Sequence, residues 1–483
     1  MRSLLCLLLF ASALQAAGRP NVLFIMADDF RPEMGCYGSR ALTPNLDHLA
    51  ARSVQFDRAY CQQAVCNPSR SSLLTGKRPD SLRLWSNGTH FREMNPDVTT
   101  LPLWFKKQGY TTRCVGKIFH NWHTQEKGDR RSWSADEFLH YANHGDDKPV
   151  VSGELPPNLA TLNQNRGYNS TGITECRDVP DEAYYDGRVA TEAVRVLGEV
   201  KDQDKGFFLA VGFWKPHAPF NAPKKYWDLY RRDQLPPLNG ARPESAPELA
   251  FHQSTEILGP PAKQTPVSAE QAAEVRHGYF ANISYMDAQI GRVLDALEAS
   301  SAAKNTIIVF FADHGYHIGE HGLWGKTSDF EFDAHVPLLI SDLREEHRGN
   351  RTQALAELVD VFPTLVDLCG LPKPEQLEGD SLVPVLKDPT RSVKSAAFTQ
   401  HPRPAYFDRE PSKQPKAMGY SIRTSEVRYT EWRDWQTSAV VARELYLTEQ
   451  DPAELKNHAA DPAQKDRLNE AEKLLLAKFP RKG

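Results

Sequence analysis

The fold is decided by the stretch Asn21–Asp29, which reads NVLFIMADD. Its seven leading residues are almost all apolar, and this predicts a strand buried on both faces, as in a parallel sheet. Its last two residues are aspartates, placed where open α/β sheets collect functional groups, at the carboxyl end of a strand. Thr306–Phe311 repeats the form and ends just before Asp313 and His314. We therefore predict an α/β protein with polar groups along one sheet edge.

Further strands and helices alternate around these two stretches. We predict additional strands at Tyr110–Val115, Phe207–Phe213 and Val336–Ile340. Periodicity and end signals predict helices that begin at Pro44 with Thr43 as N-cap and that span Leu101–Gln108, Ala269–Leu297 and Leu355–Leu368. The polar region from about Asn121 to Val179 is predicted to form long loops that select the substrate.

The pattern changes past Lys387. A Pro-rich segment at Gln400–Pro404 precedes strand-like stretches and a final helix, at Gly419–Thr424, Val427–Trp432, Glu444–Tyr446 and Pro462–Leu475. We predict a main domain over residues 18–387 and, over residues 388–483, a smaller α+β subdomain with an antiparallel sheet packed beside it.

Composition places the chain among globular proteins and excludes a general polyanion-binding surface. The 483 residues are 40% hydrophobic and 25% charged, and the formal net charge is −4. An anionic substrate must then be held by a local basic pocket, and nucleic acid is not an expected partner.

The N-terminus has the layout of a secretory signal. Met1–Ala17 carries Arg2, an apolar run from Leu4 to Leu14 and then small residues. We predict an exported chain, periplasmic or extracellular in a bacterium and lysosomal or secreted in a eukaryote. An uncleaved N-terminal anchor is the alternative; no later stretch approaches the about 20 apolar residues of a membrane span.

The cysteine count also bears on export. Seven cysteines are present, and Cys6 lies in the signal. If Cys66 is reserved for chemistry, five remain, so at least one free and buried thiol is expected. The alternative makes Cys66 half of a disulfide.

A candidate nucleophile stands in Cys66-Asn67-Pro68-Ser69-Arg70. Pro68 pre-sets φ for a helix start and Arg70 projects from the first turn. Cys66 is therefore predicted to lie in the positive field of a helix N-terminus, which favours an anion.

Two acidic pairs form a candidate metal site. Asp28 and Asp29 follow the first buried strand, and Asp313 and His314 follow the later one. Oxygen-rich clusters of this kind suit a hard divalent cation such as Ca²⁺ or Mg²⁺. The alternative is that these are solvated loop carboxylates that cap helices.

The basic candidates for anion binding are Arg70, Lys117, His120, His217 and Lys326. Three other histidines, His317, His321 and His335, are interpreted as structural. The spacing of His314, His317 and His321 superficially suggests zinc, but the flanking glycines indicate a loop in which helical spacing is not kept.

These motifs together resemble those of type I sulfatases, which belong to the alkaline-phosphatase superfamily. The resemblance spans Pro20–Leu339 and Gln400–Tyr446. It is carried by Asn21–Asp29, Thr43–Asn45, Gln62–Cys66, Leu74–Gly76, Val115–Lys117, Lys215–His217, Asp313–Gly315, Gly319–Gly322, His335–Leu338 and Met418–Thr424, together with the C-x-P-S-R frame of Cys66. It implies a large, mostly parallel sheet sandwiched by helices.

The resemblance also implies roles for single residues. Asp28, Asp29, Asp313 and His314 would hold one Ca²⁺ together with residue 66, a formylglycine made from Cys66 by a maturation enzyme. Arg70 would stabilise the formylglycine hydrate. Lys117, His217 and Lys326 would bind sulfate, and His120 would lie near the hydrate.

The function expected from these observations is hydrolysis of a sulfated oligo- or polysaccharide. An aliphatic alcohol leaves poorly, so a general acid must protonate it; we assign this to His217 and the base to His120, with the two roles exchangeable. A phosphate or phosphonate ester hydrolase of the same superfamily and a non-catalytic glycan-binding protein are the alternatives.

Overall fold

Asn21–Asp28 is an interior strand of an eight-stranded sheet. The structure is a computed structural model, and it describes residues 19–120, 127–138, 173–203, 205–252, 255–258, 267–345 and 349–481. Every side chain of this strand is buried, as its apolar sequence predicts.

The strands follow one another along the whole described chain. In chain order they are β1 (Asn21–Asp28), β2 (Val54–Tyr60), β3 (Thr111–Gly116), β4 (Thr174–Arg177), β5 (Phe207–Pro216), β6 (Phe220–Pro223), β7 (Thr306–Ala312), β8 (His317–Ile318), β9 (Trp324–Gly325), β10 (His335–Val336), β11 (Leu338–Asp342), β12 (Asn350–Glu357), β13 (Ala397–Arg403), β14 (Ala417–Arg423), β15 (Val427–Asp434) and β16 (Val440–Leu447).

The helices lie mostly between these strands. They are α1 (Pro44–Ala50), α2 (Cys66–Thr75), α3 (Pro79–Leu82), α4 (Phe91–Met94), α5 (Leu101–Lys107), α6 (Tyr185–Val200), α7 (Lys224–Trp227), α8 (Thr255–Leu258), α9 (Ala269–Glu298), α10 (Glu331–Ala334), α11 (Val361–Leu368), α12 (Val383–Lys387) and α13 (Lys465–Lys478).

The main sheet has the order β10-β2-β11-β7-β1-β5-β3, and β12 pairs with β2. The block β3-β5-β1-β7 is parallel, β12 is parallel to β2, and β10 and β11 run against their neighbours. Helices flank the sheet; α9 packs on β5 and on α6. This confirms the predicted mixed α/β sheet and brings the carboxyl ends of β1, β5 and β7 to one edge.

A second sheet follows in the last part of the chain. Strands β13-β14-β15-β16 form an antiparallel meander, and α13 packs on β14 and β15. Apolar side chains between α13 and this sheet form a core of their own, including Ile422, Tyr429, Leu445 and Leu475. The predicted C-terminal antiparallel sheet with a helix is therefore confirmed, while the boundary at Lys387 stays a prediction.

Several predicted elements were wrong in detail. Residues 355–357 belong to strand β12 and not to a helix, because Leu355 and Ala356 pair with β2 and this tertiary pairing overrides local helical periodicity. The strand predicted at Val336–Ile340 is interrupted by Pro337, which cannot donate a ladder hydrogen bond. Strand β2 was not predicted.

One further correction concerns a proline, and the cysteines agree with the prediction. Pro402 lies within β13, which tolerates it as an edge strand. The six described cysteines are free, Cys66 included, so Cys66 is not half of a disulfide here. Cys61 and Cys114 are buried thiols of the kind expected.

Some predictions fall on other parts of the chain. The signal at Met1–Ala17 and most of the loop region Asn121–Val179 lie outside the described residues. Among the described helices, none has the length and apolar character needed to cross a membrane.

Candidate active site

Cys66 begins a helix that is buried along its whole length. Helix α2 starts at Cys66 after Val65 in extended conformation, two residues before Pro68, and ends at Gly76, where φ is 67°. Cys66 is 1% exposed. As the first helical residue it lies in the positive field of the helix N-terminus, as predicted.

The acidic candidates converge at the ends of two neighbouring strands. Asp28 is the last residue of β1, and Asp313 directly follows β7. Asp29 adopts a left-handed conformation with φ of 58°, and its backbone N–H donates to Asp313 Oδ1 at 3.2 Å. With His314, these residues are completely buried. The strand pairing therefore gathers three carboxylates and an imidazole in one place.

This cluster surrounds the sulfur of Cys66. Sγ lies 3.6 Å from Asp28 Oδ1, 3.5 Å from His314 Nε2, 3.5 Å from Lys326 Nζ and 3.9 Å from Lys117 Nζ. A group attached at residue 66 is thus in contact with both anionic and cationic side chains. Such a position suits a nucleophile that must bind a metal and an anion at once.

Arg70 ties the helix to the strand ends. Its Nε donates to Asp313 Oδ2 at 2.8 Å, and its Nη2 lies 3.2 Å from Asp28 Oδ1. Its Nη1 donates to the carbonyl oxygens of Lys117 and Ile118, at 2.5 and 3.1 Å. Arg70 thereby fixes α2, β1, β7 and the segment after β3 relative to one another. Its role in stabilising a hydrate at position 66 stays a prediction.

The remaining basic candidates come from loops after strands. Lys117 follows β3 and forms an ion pair with Asp28. Lys326 follows β9, and its Nζ lies 2.8 Å from Asp29 Oδ1. His217 follows β5, and its Nε2 lies 3.7 Å from Asp29 Oδ2.

The two histidines assigned to proton transfer differ in how they are placed. His217 Nδ1 lies 2.5 Å from the Ala218 carbonyl oxygen, which accepts only from a protonated nitrogen; in the neutral ring Nε2 therefore carries the lone pair toward Asp29. His120 is buried three residues beyond Lys117. Its place beside position 66 stays a prediction.

Charge balance within the cluster is uneven. Burial opposes ionisation of Asp28, but Lys117 and Arg70 outweigh burial and hold the pKa of this carboxyl well below its usual range. Burial raises the pKa of Asp29; Lys326 opposes this shift, and Glu256, Asp28 and Asp313 add to it. The ionised form of Asp29 is therefore disfavoured even though Lys326 lies 2.8 Å away.

The thiol and the imidazoles are neutral in this setting. Burial raises the pKa of Cys66 well above its usual value despite the nearby lysines. Burial lowers the pKa of His314, and burial with Lys326 lowers that of His217. Because a thiolate is the reactive form of cysteine, Cys66 as a thiol is poorly suited to attack.

A cation fits this arrangement. One ligand atom from each of Asp28, Cys66, Asp313 and His314 lies within 4.8 Å of the others, and a second such group contains Asp29, Cys66 and His217. Carboxylate oxygens suit Ca²⁺ or Mg²⁺, whereas a thiol does not. An oxygen at position 66 would complete a hard-cation site.

Two acidic residues that sequence reasoning missed support the site. Glu256 Oε1 lies 3.0 Å from Lys326 Nζ. Asp186 accepts hydrogen bonds from the backbone N–H groups of Trp214 and Lys215, each at 2.9 Å, and so holds the end of β5 that carries His217. Both act across long sequence separations, and no local motif marks them.

The three histidines interpreted as structural, His317, His321 and His335, contact other protein groups. His317 Nδ1 lies 2.7 Å from Asp333 Oδ1, and His317 Nε2 lies 3.3 Å from His321 Nδ1. His321 Nε2 contacts the carbonyl oxygen of Ala453 at 2.6 Å. His335 Nδ1 lies 3.5 Å from Glu331 Oε1. These contacts match a structural role.

Comparisons with known proteins agree with this geometry. The sequence profile of the sulfatase family matches residues 20–371, and that of the N-sulphoglucosamine sulphohydrolase C-terminal region matches residues 319–479. Iduronate 2-sulfatase of Mus musculus is 34% identical over 521 residues, covering 91% of this chain and 90% of that protein.

Solved structures show the same architecture. The phosphonate monoester hydrolase of Agrobacterium radiobacter aligns with a TM-score of 0.78 and 26% identity, covering 96% of each chain. A protein in complex with its substrate D-glucosamine-2-N,6-O-disulfate aligns with a TM-score of 0.72 and 21% identity, covering 96% of this chain and 98% of that one, which is a likeness of fold. From the family profile and the relatives together, the chain belongs to the sulfatase family and is a sulfuric ester hydrolase.

Proposed function

We propose that this protein is an exported, calcium-dependent sulfatase that removes sulfate from a sulfated carbohydrate, as iduronate 2-sulfatase does by its name. The observation that carries the proposal is the ring of groups around Cys66 Sγ, in which two ammonium groups, a carboxylate and an imidazole lie within 3.9 Å. The family relationship favours sulfate as the group transferred.

Residue 66 is proposed to work as formylglycine, made from Cys66 by a maturation enzyme. Burial raises the pKa of the thiol, which disfavours thiolate attack. The hydrated aldehyde supplies an oxygen nucleophile and a second hydroxyl through which the sulfate is expelled. Lys117 and Lys326 are positioned to bind the oxygens of that sulfate, and Arg70 keeps α2 in place.

Calcium is proposed to bind Asp28, Asp29, Asp313 and His314 together with the converted residue 66. Bound there, it adds the positive charge that the crowded carboxylates lack and stabilises anionic oxygens during the reaction. The crowding of these ligand atoms within 4.8 Å of one another supports a cation at this place.

Proton transfer is assigned to the two histidines. His217 presents Nε2 toward the cluster, so we assign it to protonate the leaving sugar oxygen, and His120 to act as base. Because burial lowers the pKa of His217, its resting form is neutral. An anionic substrate raises that pKa and so favours protonation when the ester is bound. The two roles remain exchangeable.

A second candidate function is supported by one observation. The likeness to a phosphonate monoester hydrolase favours a phosphonate or phosphate ester as alternative substrate. A glycan-binding protein without catalysis is disfavoured, because the charged groups converge on residue 66. The signal at Met1–Ala17 and the family support export to the periplasm, medium or lysosome.

Mass spectrometry of the Cys66 peptide from active protein tests the proposal. The aldehyde form is expected, and only thiol or disulfide in a preparation that turns over a sulfated saccharide would overturn the chemistry. A panel of matched sulfate, phosphate and phosphonate esters then separates the two candidate functions.

A further inference from the structure

Lys326 reaches position 66 from a strained stretch of backbone. Its ammonium group lies 3.5 Å from Cys66 Sγ and donates to both carboxylate oxygens of Asp29, at 2.8 and 3.1 Å. The next residue, Thr327, has φ of 88°, a left-handed conformation that β-branched residues rarely adopt. Such a conformation costs free energy and persists only where the surrounding structure enforces it. The position of Lys326 therefore depends on contacts that hold residues 325–328, which we call the lysine segment.

The strand before Lys326 provides little support by itself. Lys326 directly follows β9, and β9 forms a two-stranded sheet with β8 through the pairs His317–Gly325 and Ile318–Trp324. Two-stranded sheets are at best marginally stable in water unless other groups pack on them. Contacts from elsewhere in the fold must therefore fix the two ends of the lysine segment.

The side chain of Asp333, in α10, contacts both ends and is 1% exposed. After Lys326, Asp333 Oδ2 accepts hydrogen bonds from the backbone N–H of Ser328 at 2.9 Å and from its hydroxyl at 2.6 Å. Before Lys326, Asp333 Oδ1 lies 2.7 Å from Nδ1 of His317, whose backbone pairs with Gly325. One carboxylate thus links the segments on both sides of Lys326.

The contacts of His317 and His321 show which atoms donate. His321 Nε2 lies 2.6 Å from the carbonyl oxygen of Ala453, and because a carbonyl can only accept, this nitrogen carries a proton. Burial and the charge of His317 lower the pKa of His321 to about 4, so its Nδ1 is an acceptor. His317 Nε2, 3.3 Å away, therefore donates to it, and His317 Nδ1 donates to the ionised carboxylate of Asp333. His317 is then a cation, which strengthens its hydrogen bond to Asp333.

We propose that Asp333 is a positioning residue for Lys326. Its carboxylate holds the lysine segment in the strained conformation that brings the ammonium group beside residue 66, and it does not itself touch the substrate. This rests on the proposed function, in which Lys326 binds the oxygens of the sulfate, and it adds a residue that acts through Lys326. Without the carboxylate, the lysine segment is expected to relax and to move the ammonium group away from residue 66.

Turnover of 4-nitrophenyl sulfate per folded molecule tests the proposal, with the folded fraction taken from urea unfolding. Asp333→Ala is expected to lower kcat/KM by about 10- to 100-fold, as expected for a group misplaced by about 1 Å. Asp333→Asn should retain most of the wild-type kcat/KM, because its amide oxygen accepts from Ser328 and its amide nitrogen donates to a neutral His317. If Asp333→Asn were as impaired as Asp333→Ala, the hydrogen bonds would not position Lys326 and the proposal would be wrong.

A double-mutant cycle tests whether Asp333 acts through Lys326. In a Lys326→Ala background, Asp333→Ala should lower kcat/KM by less than about twofold further, because no ammonium group remains to be positioned. The full loss in that background would overturn the proposal. If Lys326→Ala turns over too slowly to measure, calorimetry of inorganic sulfate binding to Cys66→Ala provides the same cycle with the same two outcomes.

Asp287 offers a matched control at another buried carboxylate. It is 1% exposed and accepts three hydrogen bonds, from the backbone N–H groups of Leu46 and Asn45 at 2.8 and 3.2 Å and from Asn45 Nδ2 at 2.7 Å. Asp287→Ala should lower stability, as Asp333→Ala does, and leave turnover per folded molecule near wild type. An equal loss of turnover in Asp287→Ala would show that lost stability alone explains the effect, and Asp333 would have no positioning role.

A smaller change covers the case in which Asp333→Ala does not fold. Ser328→Ala removes only the hydroxyl that donates to Asp333 Oδ2, and it should lower kcat/KM less than Asp333→Ala but in the same direction. An unchanged kcat/KM in Ser328→Ala would then overturn the proposal. A wild-type protein that turns over no sulfate ester, or a Lys326→Ala variant as active as wild type, would instead overturn the proposed function.

Discussion

Two regions of the molecule hold clusters of charged side chains, and one acid in each, Asp29 in one and Glu331 in the other, has its pKa shifted in the opposite direction. Around Cys66, the carboxylates crowd together, and burial with neighbouring acids raises the pKa of Asp29. The seam network, made of Glu331, Arg423, Arg428 and Glu454, lies between the main sheet and the C-terminal sheet. There burial is outweighed by Arg423 and Arg428, so the pKa of Glu331 is lowered.

The contacts of the seam network explain its balance. Arg428 pairs with Glu331 and lies 2.6 Å from Glu454 Oε1, and Arg423 Nε lies 3.2 Å from Glu331 Oε2. The Tyr60 hydroxyl donates to Glu331 Oε1 at 2.9 Å. Burial of charge therefore does not by itself mark function. Around Cys66 the acids still crowd one another, although each is paired with Lys117, Arg70 or Lys326.

The largest effect that this contrast predicts is on turnover. Cys66→Ala should lower kcat by at least about 10⁴-fold, because it removes the nucleophile, and should leave the unfolding temperature almost unchanged. Turnover and thermal unfolding are measured side by side. Cys176→Ala, at an exposed cysteine, is the control and should keep full activity. An active Cys66→Ala protein would place the chemistry elsewhere.

Removing the cation should affect both activity and stability of the site. Chelation is expected to abolish turnover and to lower stability by about 3 kcal/mol where Ca²⁺ had been present at 100 times its Kd. Calcium added back should restore both. The stability of Asp313→Asn should not change on chelation, because this variant lacks one of the proposed metal ligands. If protein that elemental analysis shows to be metal-free kept full activity, the proposed calcium site would be wrong.

The seam network should show the converse behaviour. Arg428→Ala leaves Glu454, which is fully buried, without its ion pair beside the partly exposed Glu331, and is expected to cost about 3 kcal/mol of unfolding free energy. Urea unfolding measures this. Turnover per folded molecule should stay near wild type, and Arg467→Ala, at a half-exposed pair, should cost under about 1 kcal/mol. If Arg428→Ala lowered turnover per folded molecule, the seam network would contribute to catalysis, which would contradict the proposed difference between the two regions.

The smallest predicted effect concerns acid. Burial of Glu320 is outweighed by Arg31 and His317, which lower its pKa from 4.5 to about 2. A lowered pKa in the folded state contributes stability above pH 4.5 that is lost as the pH falls to about 2. The stability difference between wild type and Glu320→Gln should therefore be at most about 3 kcal/mol near pH 6 and shrink through this window.

Acid unfolding curves of both proteins measure the difference. Glu248→Gln should match wild type throughout. A difference between wild type and Glu320→Gln that stays constant from pH 6 to pH 3 would show that the ion pair with Arg31 does not control it.

The parts of the fold that could be predicted from the sequence are those whose signal lies within a short run of consecutive residues. The apolar run of β1 and the frame around Cys66 each contain their own signal. The meeting of Asp28 with Asp313 followed from one further step, because parallel neighbours end at the same sheet edge.

The parts that were missed depend on contacts between distant residues. Leu355 has a helical pattern around it, yet it pairs with Arg58 across the sheet. Glu256 meets Lys326 from an element with no motif, and Asp186 meets Trp214 from the start of a helix. Local periodicity cannot report such partners, because each is defined only after the chain has folded.

The order of strands in the main sheet also determines which parts of the sheet can form before the whole chain has been synthesised. Strand β1 has β5 and β7 as its neighbours, so the edge that pairs with β7 cannot be covered until Ala312 has been synthesised. The ion pair between Arg70 and Asp313 likewise cannot form until Asp313 has been synthesised. Since Cys66 is 1% exposed in the folded protein, the maturation enzyme that we propose would have to reach it before the sheet is complete.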